Sequence, residues 1–131
     1  MILLLLAFIY SIFLPLKLGT LWFYIGLTIY LLGLLIFIVA IVNIANTPHG
    51  KPFTKGVYRY SRHPMTFWGH IMHLGTGIAS ASWVFVLFSI IVAILFYYLV
   101  IPEERGCLEY YGDSYREYMS RTPRWIGIPK A

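Results

Sequence analysis

The chain has 131 residues, 60% of them hydrophobic and only 11% charged, with a formal net charge of +5. Soluble domains carry roughly 25% charged residues, so a chain this depleted has more apolar surface than a soluble core could hide, and lipid is the solvent it suits. A single cysteine, Cys107, excludes an internal disulfide, and cations placed beside apolar runs speak for a membrane surface and against a nucleic acid partner.

A membrane-spanning helix needs about 20 apolar residues, with about 17 as the lower limit. Four segments qualify: 2–18, interrupted by Pro15; 21–43, the cleanest; 64–81, the most polar; and 83–101, which carries no charge. The first run follows Met1 directly, without a basic leader or a small-residue cleavage site, so it is expected to be retained. Almost no loop separates the third and fourth segments, which predicts a tight antiparallel hairpin. The loop 44–63 holds Lys51, Lys55, Arg59 and Arg62. The tail after 101 holds Arg105, Arg116, Arg121, Arg124 and Lys130, whereas the first turn has only Lys17 and the third none. By the excess of cations in cytoplasmic segments, both termini and the long loop are expected on the cytoplasmic side. Leu108, Tyr111, Tyr115 and Tyr118 recur at spacings of three and four, so 103–120 is expected to form an amphipathic helix at the interface or folded over the loop. The expected fold is all-α: one polytopic domain over 1–131, with four spans and a C-terminal helix.

Two polar stretches break the apolar pattern. The loop 44–63 is long for a connection in a compact helical protein, and loops of that length are usually functional or disordered. Its prolines and glycines suit a shaped loop, and Phe53, Tyr58 and Tyr60 argue against disorder. It ends in Arg62-His63-Pro64. Proline favours the first helical position, so Pro64 should open the third segment with His63 as its N-cap. The free N–H groups there, with the charge of Arg62, could dock an anion. Arg62 could equally be an interface anchor. Asn43, at the end of the second segment, could supply an amide to the same place or be an ordinary helix-end polar residue.

His63, Thr66, His70 and His73 fall at i, i+3, i+7 and i+10, one face of a helix. Polar groups at membrane depth are expensive, so this face should meet protein or a wet groove. The histidines could line that groove or be satisfied by neighbouring helices. A metal site is the weaker reading, since neither carboxylate nor cysteine lies on these spans. The second polar stretch is Pro102-Glu103-Glu104-Arg105. Its carboxylates could pair with a cation or simply decorate a helix start. If the third and fourth segments form a hairpin, Arg62-His63 and Glu103-Glu104 emerge on one face, and a site with a cationic and an anionic side suits an amino acid zwitterion.

The run from Gly56 to Pro64, the apolar hairpin, Glu103-Glu104, the run from Tyr111 to Tyr118 and Arg121-Thr122-Pro123 together resemble the isoprenylcysteine carboxyl methyltransferase and phospholipid methyltransferase superfamily. The resemblance covers about 43–126. It implies S-adenosylmethionine bound at the cytoplasmic face and a lipophilic substrate entering from the bilayer. It implies cofactor contacts from Tyr58, Arg62, His63 and Pro64, with Gly50, Lys51, Pro52 and Phe53 along it and Asn43 where the family places an amide. Glu103 corresponds to the family's cofactor-binding carboxylate, with Glu104 beside it. Arg62 or the helix end would meet the methionyl carboxylate and Glu103 the ammonium. Thr66 stands where the family usually has Tyr, leaving a roomier pocket. Leu99 stands where isoprenylcysteine enzymes carry an Arg for the substrate carboxylate, which points to another acceptor.

The expected activity is therefore direct in-line methyl transfer to a lipid or other lipophilic small molecule. His63 and Arg62 are the candidate catalytic residues, and Thr66, His70 and His73 the candidate substrate contacts. No metal is expected. Membrane lipids are the expected surroundings, and a second copy could help seal the groove between four thin spans. Two other classes share features of the sequence: an NADPH-dependent enzyme resembling the sterol reductases, and a small transporter or assembly subunit with a histidine-lined path.

Overall fold

The computed structural model describes residues 2–13, 15 and 18–130, and among them every regular element is helical. The helices are α1 (Ile2–Ile12), α2 (Leu21–Ala45), α3 (Pro64–Ala79), α4 (Trp83–Tyr111) and α5 (Asp113–Arg121), with one 3-10 turn at Gly56–Arg59 in the loop. Two of them, α2 with 25 residues and α4 with 29, are long and apolar enough to cross a membrane. The other two expected spans are shorter. α1 has 11 residues and α3 has 16, both under the roughly 17 that a span requires. α3 stops at Ala79 because the chain must turn at once into α4. Leu14, Leu16 and Lys17, at the end of the expected first span, lie outside the described residues.

The chain divides into two compact units. One comprises Met1–Leu34 and Gly69–Tyr97. Within it α2 and α3 approach backbone to backbone. A Cβ on Gly26 would lie 2.5 Å from the Gly75 carbonyl oxygen and 2.6 Å from Ala79 Cα, and one on Gly75 would lie 2.8 Å from the Gly26 oxygen. Gly75 and Ala79 are one turn apart, the small-residue spacing that lets membrane helices touch. The expected hairpin between α3 and α4 is present. Ser82 N–H donates to the Gly77 carbonyl at 2.9 Å and Ala81 N–H to that of Ile78 at 3.0 Å, with Ala81 in the left-handed region at φ 49°. Phe85 is fully buried, with the Tyr10 ring stacked at 5.9 Å and His73 at 6.3 Å.

The second unit comprises Leu35–Trp68 and Tyr98–Ala131. Here the helix boundary differs from the expected one. α4 does not end before Pro102 but runs through it to Tyr111. A proline inside a helix removes one N–H donor, and the following Glu-Glu-Arg are good helix formers that carry the helix on. The break falls instead at Gly112, whose φ of +64° suits glycine. The expected helix 103–120 is thus the end of α4 plus α5. Its tyrosine stripe turns inward: Tyr115 and Tyr118 are both buried, and their rings lie 5.6 Å apart. Beyond α5 the tail runs back along the loop, where Arg62 N–H donates to the Pro123 carbonyl at 3.1 Å and Gly127 N–H to that of Tyr60 at 3.0 Å.

Candidate functional site

Pro64 opens α3, and the His63 carbonyl accepts the first helical bond from Phe67 N–H at 3.0 Å, so His63 sits at the N-cap. Its own N–H donates to Ser61 Oγ at 3.2 Å. This local geometry aims the imidazole at the polar end of α4. His63 Nε2 lies 2.9 Å from Glu104 Oε1, and Nδ1 lies 3.9 Å from Glu103 Oε1. Arg62-His63 and Glu103-Glu104 therefore meet within the second unit, as the hairpin reasoning expects.

The meeting is more specific than two flanking charges. Glu104 is 2% exposed and is gripped from three sides. Besides His63, Arg62 Nε lies 3.2 Å from Oε1 and Arg124 Nη2 lies 2.9 Å from Oε2. The anion drawn to the cationic start of α3 is thus the chain's own. Arg62 Nε is within ion-pair distance of Glu104 without hydrogen-bond alignment, so the attraction there is mainly Coulombic. Arg62 and Glu104 face each other in the interior, whereas the Glu103 side chain is 62% exposed.

Tyr58 is buried beside this cluster, on the 3-10 turn. Its ring lies 5.7 Å from that of Phe53. Burial, and then the negative charge of Glu103, push its hydroxyl up to about 12, so it is neutral at ordinary pH. The turn is held from two sides. The Asn43 side-chain oxygen accepts from Val57 N–H at 3.0 Å, over Gly56, which has φ +63° and no room for a Cβ against the Asn43 amide. From the other side Tyr118 Oη donates to the Tyr58 carbonyl at 2.6 Å and to that of Ser61 at 3.3 Å. Asn43 therefore shapes the loop, and Pro64 is fully buried beneath it.

The remaining candidates are placed elsewhere. Gly50, Lys51 and Pro52 line a cavity that none of Tyr58, His63 or Glu103 lines. Thr66 belongs to the second unit, half-buried. His70 and His73 belong to the first unit, where His73 Nδ1 lies 2.8 Å from the Gly69 carbonyl and both His70 nitrogens are buried without a hydrogen-bond partner.

Four site residues escape pattern reasoning. Arg124 and Trp125, the latter with its ring 6.1 Å from His63, lie in a tail with no apolar periodicity. Arg124 counts in the sequence only as a topology charge. Tyr118 reads as one member of a stripe, and Ser61 as a loop residue. The proline and tryptophan flanking Arg124 are the one hint that this tail is shaped.

A family model described as phospholipid methyltransferase matches residues 43–114 of the chain. Over 77 residues the chain is 35% identical to the protein-S-isoprenylcysteine O-methyltransferase of Schizosaccharomyces pombe, a stretch covering 58% of this chain and 32% of that protein. The chain thus spans about a third of the length of that curated relative. No solved structure matches. Asn43, Tyr58, Arg62, His63, Pro64, Glu103 and Glu104 all lie inside the family match, and Tyr118, Arg124 and Trp125 lie beyond its end.

Proposed function

The chain belongs to the phospholipid methyltransferase family, and from that premise we propose that it is an integral membrane methyltransferase that takes its methyl group from S-adenosylmethionine and gives it to a lipophilic acceptor. The observation that carries this reading is the open Glu103 carboxylate presented beside His63 and Tyr58 on a floor made by the buried Glu104 clamp. The cofactor's reacting end carries an ammonium, a carboxylate and a sulfonium, and this cluster offers a partner for each. Glu103 suits the ammonium. The free N–H groups at the start of α3 suit the carboxylate. The neutral ring of Tyr58, with Phe53 against it, suits a sulfonium by cation–π attraction. Arg62 acts through Glu104 and is a positioning residue, as are Arg124, Asn43 and Pro64. The cavity at Gly50, Lys51 and Pro52 is a poorer home for the donor. S-adenosylmethionine is a net cation, and the cavity is lined by five cationic side chains and one acid.

When bound, the cofactor supplies an electrophilic methyl group. The chain supplies alignment and exclusion of water, which are the main sources of rate in such a transfer. An acceptor amine must also lose a proton. Glu104 accepts a hydrogen bond from His63, so in the neutral imidazole Nε2 carries the hydrogen and Nδ1 is left with its lone pair toward Glu103. His63 Nδ1 is then the group placed to take that proton. Leu99, 55% exposed, stands where an Arg for a prenylcysteine carboxylate is expected, which favours an acceptor without that carboxylate. In the bilayer α2 and α4 span, the shorter α1 and α3 cross where the bilayer thins around them, and the loop, α5 and both termini face the cytoplasm.

The test is incubation of the purified chain with labelled S-adenosylmethionine and a total lipid extract. Label should enter a lipophilic product, and calorimetry in detergent should show binding of the donor. A folded protein that binds no S-adenosylmethionine overturns the reading.

A further inference from the structure

The unit that holds the candidate site also contains a cavity of about 790 Å³, bounded by the loop, α5 and the C-terminal tail. That is within the size range of small-molecule sites. Lys51, Lys55 and Arg59 from the loop, Arg121 from α5 and Lys130 from the tail face it, against one acid, Glu117. Glu117 is already paired with Arg121 at 2.8 Å. Among the described residues, Lys51, Lys55, Arg59 and Lys130 make no ion pair. Four unneutralised cations converging on one concavity select an anion, and lysine with arginine is the usual donor set for phosphate.

The same unit also shows what carries the phosphate. Along the second half of α2, Leu35, Ile38, Ile41 and Val42 are exposed apolar side chains. That helix passes through Ala45 directly into Asn46 and Thr47, which are already wall of the cavity. An apolar flank running into a cation-lined concavity matches a molecule with hydrocarbon at one end and a phosphate at the other. We infer that this cavity binds the headgroup of an anionic phospholipid whose chains lie along the exposed flank of α2. The lipid is a bound, non-reacting one: the cavity shares no lining residue with the Glu103, His63 and Tyr58 cluster. The inference holds whether or not that cluster transfers methyl groups.

Native mass spectrometry of the full chain from neutral detergent, with phosphatidylglycerol and phosphatidylcholine of identical chains, tests it. Phosphatidylglycerol adducts should be retained well in excess of phosphatidylcholine. Each cation near an anionic lipid is worth roughly fivefold, so Lys55→Gln with Arg59→Gln should weaken retention roughly thirtyfold. Lys51→Gln with Lys130→Gln should act in the same direction. Arg116→Gln should not, because Arg116 is exposed, paired with Asp113 at 2.7 Å and not part of the wall. Equal retention of the two lipids overturns the inference, as does an Arg116→Gln effect matching the Lys55/Arg59 pair, which would reduce the attraction to net charge. Inorganic phosphate is the second arm. If it binds lipid-free protein with the same variant sensitivity and displaces phosphatidylglycerol, the ligand is a soluble phosphate and the lipid assignment fails.

Discussion

Glu104 Oε1 lies 2.9 Å from His63 Nε2, across 41 residues of sequence, and this contact joins the first turn of α3 to the polar end of α4. Both partners are buried, and Arg62 and Arg124 complete the shell around the carboxylate. A buried charge must be compensated on all sides, so the clamp dictates the relative position of the loop end, α4 and the tail. Glu103, the next residue along α4, is thereby presented outward. Of two adjacent carboxylates, one is enclosed by its partners and the other stays exposed.

Removing the structural carboxylate should be costly. Glu104→Ala leaves Arg62 buried without its counter-charge, and breaking such a pair costs about 3–5 kcal/mol. Thermal unfolding in detergent should show a large drop in midpoint. A midpoint within a degree or two of the parent would mean that the clamp contributes little.

The neighbouring substitution should separate binding from stability. Glu103→Ala removes a carboxylate that is 62% exposed, so stability should move by about 0.5 kcal/mol or less. Affinity for S-adenosylmethionine, read by calorimetry, should fall at least about tenfold, the scale of one charge-assisted contact. Glu109→Ala should leave both unchanged. Equal losses of affinity from Glu103→Ala and Glu109→Ala would remove the assignment of Glu103.

Tyr118 is expected to act on the site through the loop. Tyr118→Phe deletes the bonds to the Tyr58 and Ser61 carbonyls and should cost about 1–3 kcal/mol, because buried acceptors are left unpaired. Hydrogen exchange should rise across residues 55–62. Unchanged protection in that segment would show that the tail, not Tyr118, holds the turn.

Alkaline pH gives an independent check on burial. The Tyr58 hydroxyl titrates near 12 in the folded chain against about 10 when unfolded. Below pH 10 both states keep the proton and this stability is fully present. Between 10 and 12 the unfolded chain releases it first, so stability falls as pH rises through that window. Burial and the neighbouring tyrosines push Tyr118 in the same direction. Tyr58→Phe should flatten the fall in unfolding midpoint above pH 10, and an equally steep fall would place the Tyr58 hydroxyl in water.

The two kinds of glycine should respond oppositely. Gly26→Val forces a side chain into the backbone of α3 and should abolish a monodisperse folded species on gel filtration. Gly106→Ala meets open space within α4 and should raise stability by about 0.5–1 kcal/mol.

What the sequence by itself determined was local. Apolar runs with few charges require helices in lipid, proline at position 64 starts one of them, and the near absence of a loop between segments 64–81 and 83–101 makes α3 and α4 a hairpin. That hairpin already brings Arg62-His63 and Glu103-Glu104 to one end. Tertiary structure alone decided the rest. α4 passes through Pro102 because one missing hydrogen bond is less than the surrounding helix supplies, and no spacing rule weighs those two terms. Asn43 is drawn to Val57 and Tyr118 to Tyr58 by partners that only the folded loop provides. Above all, which carboxylate is buried and which stays open depends on Arg124, brought in by a tail without periodicity. Periodicity reports which face of an element is apolar. The pairing of buried charges is set by distances between segments remote in sequence, and those exist only once the chain is folded.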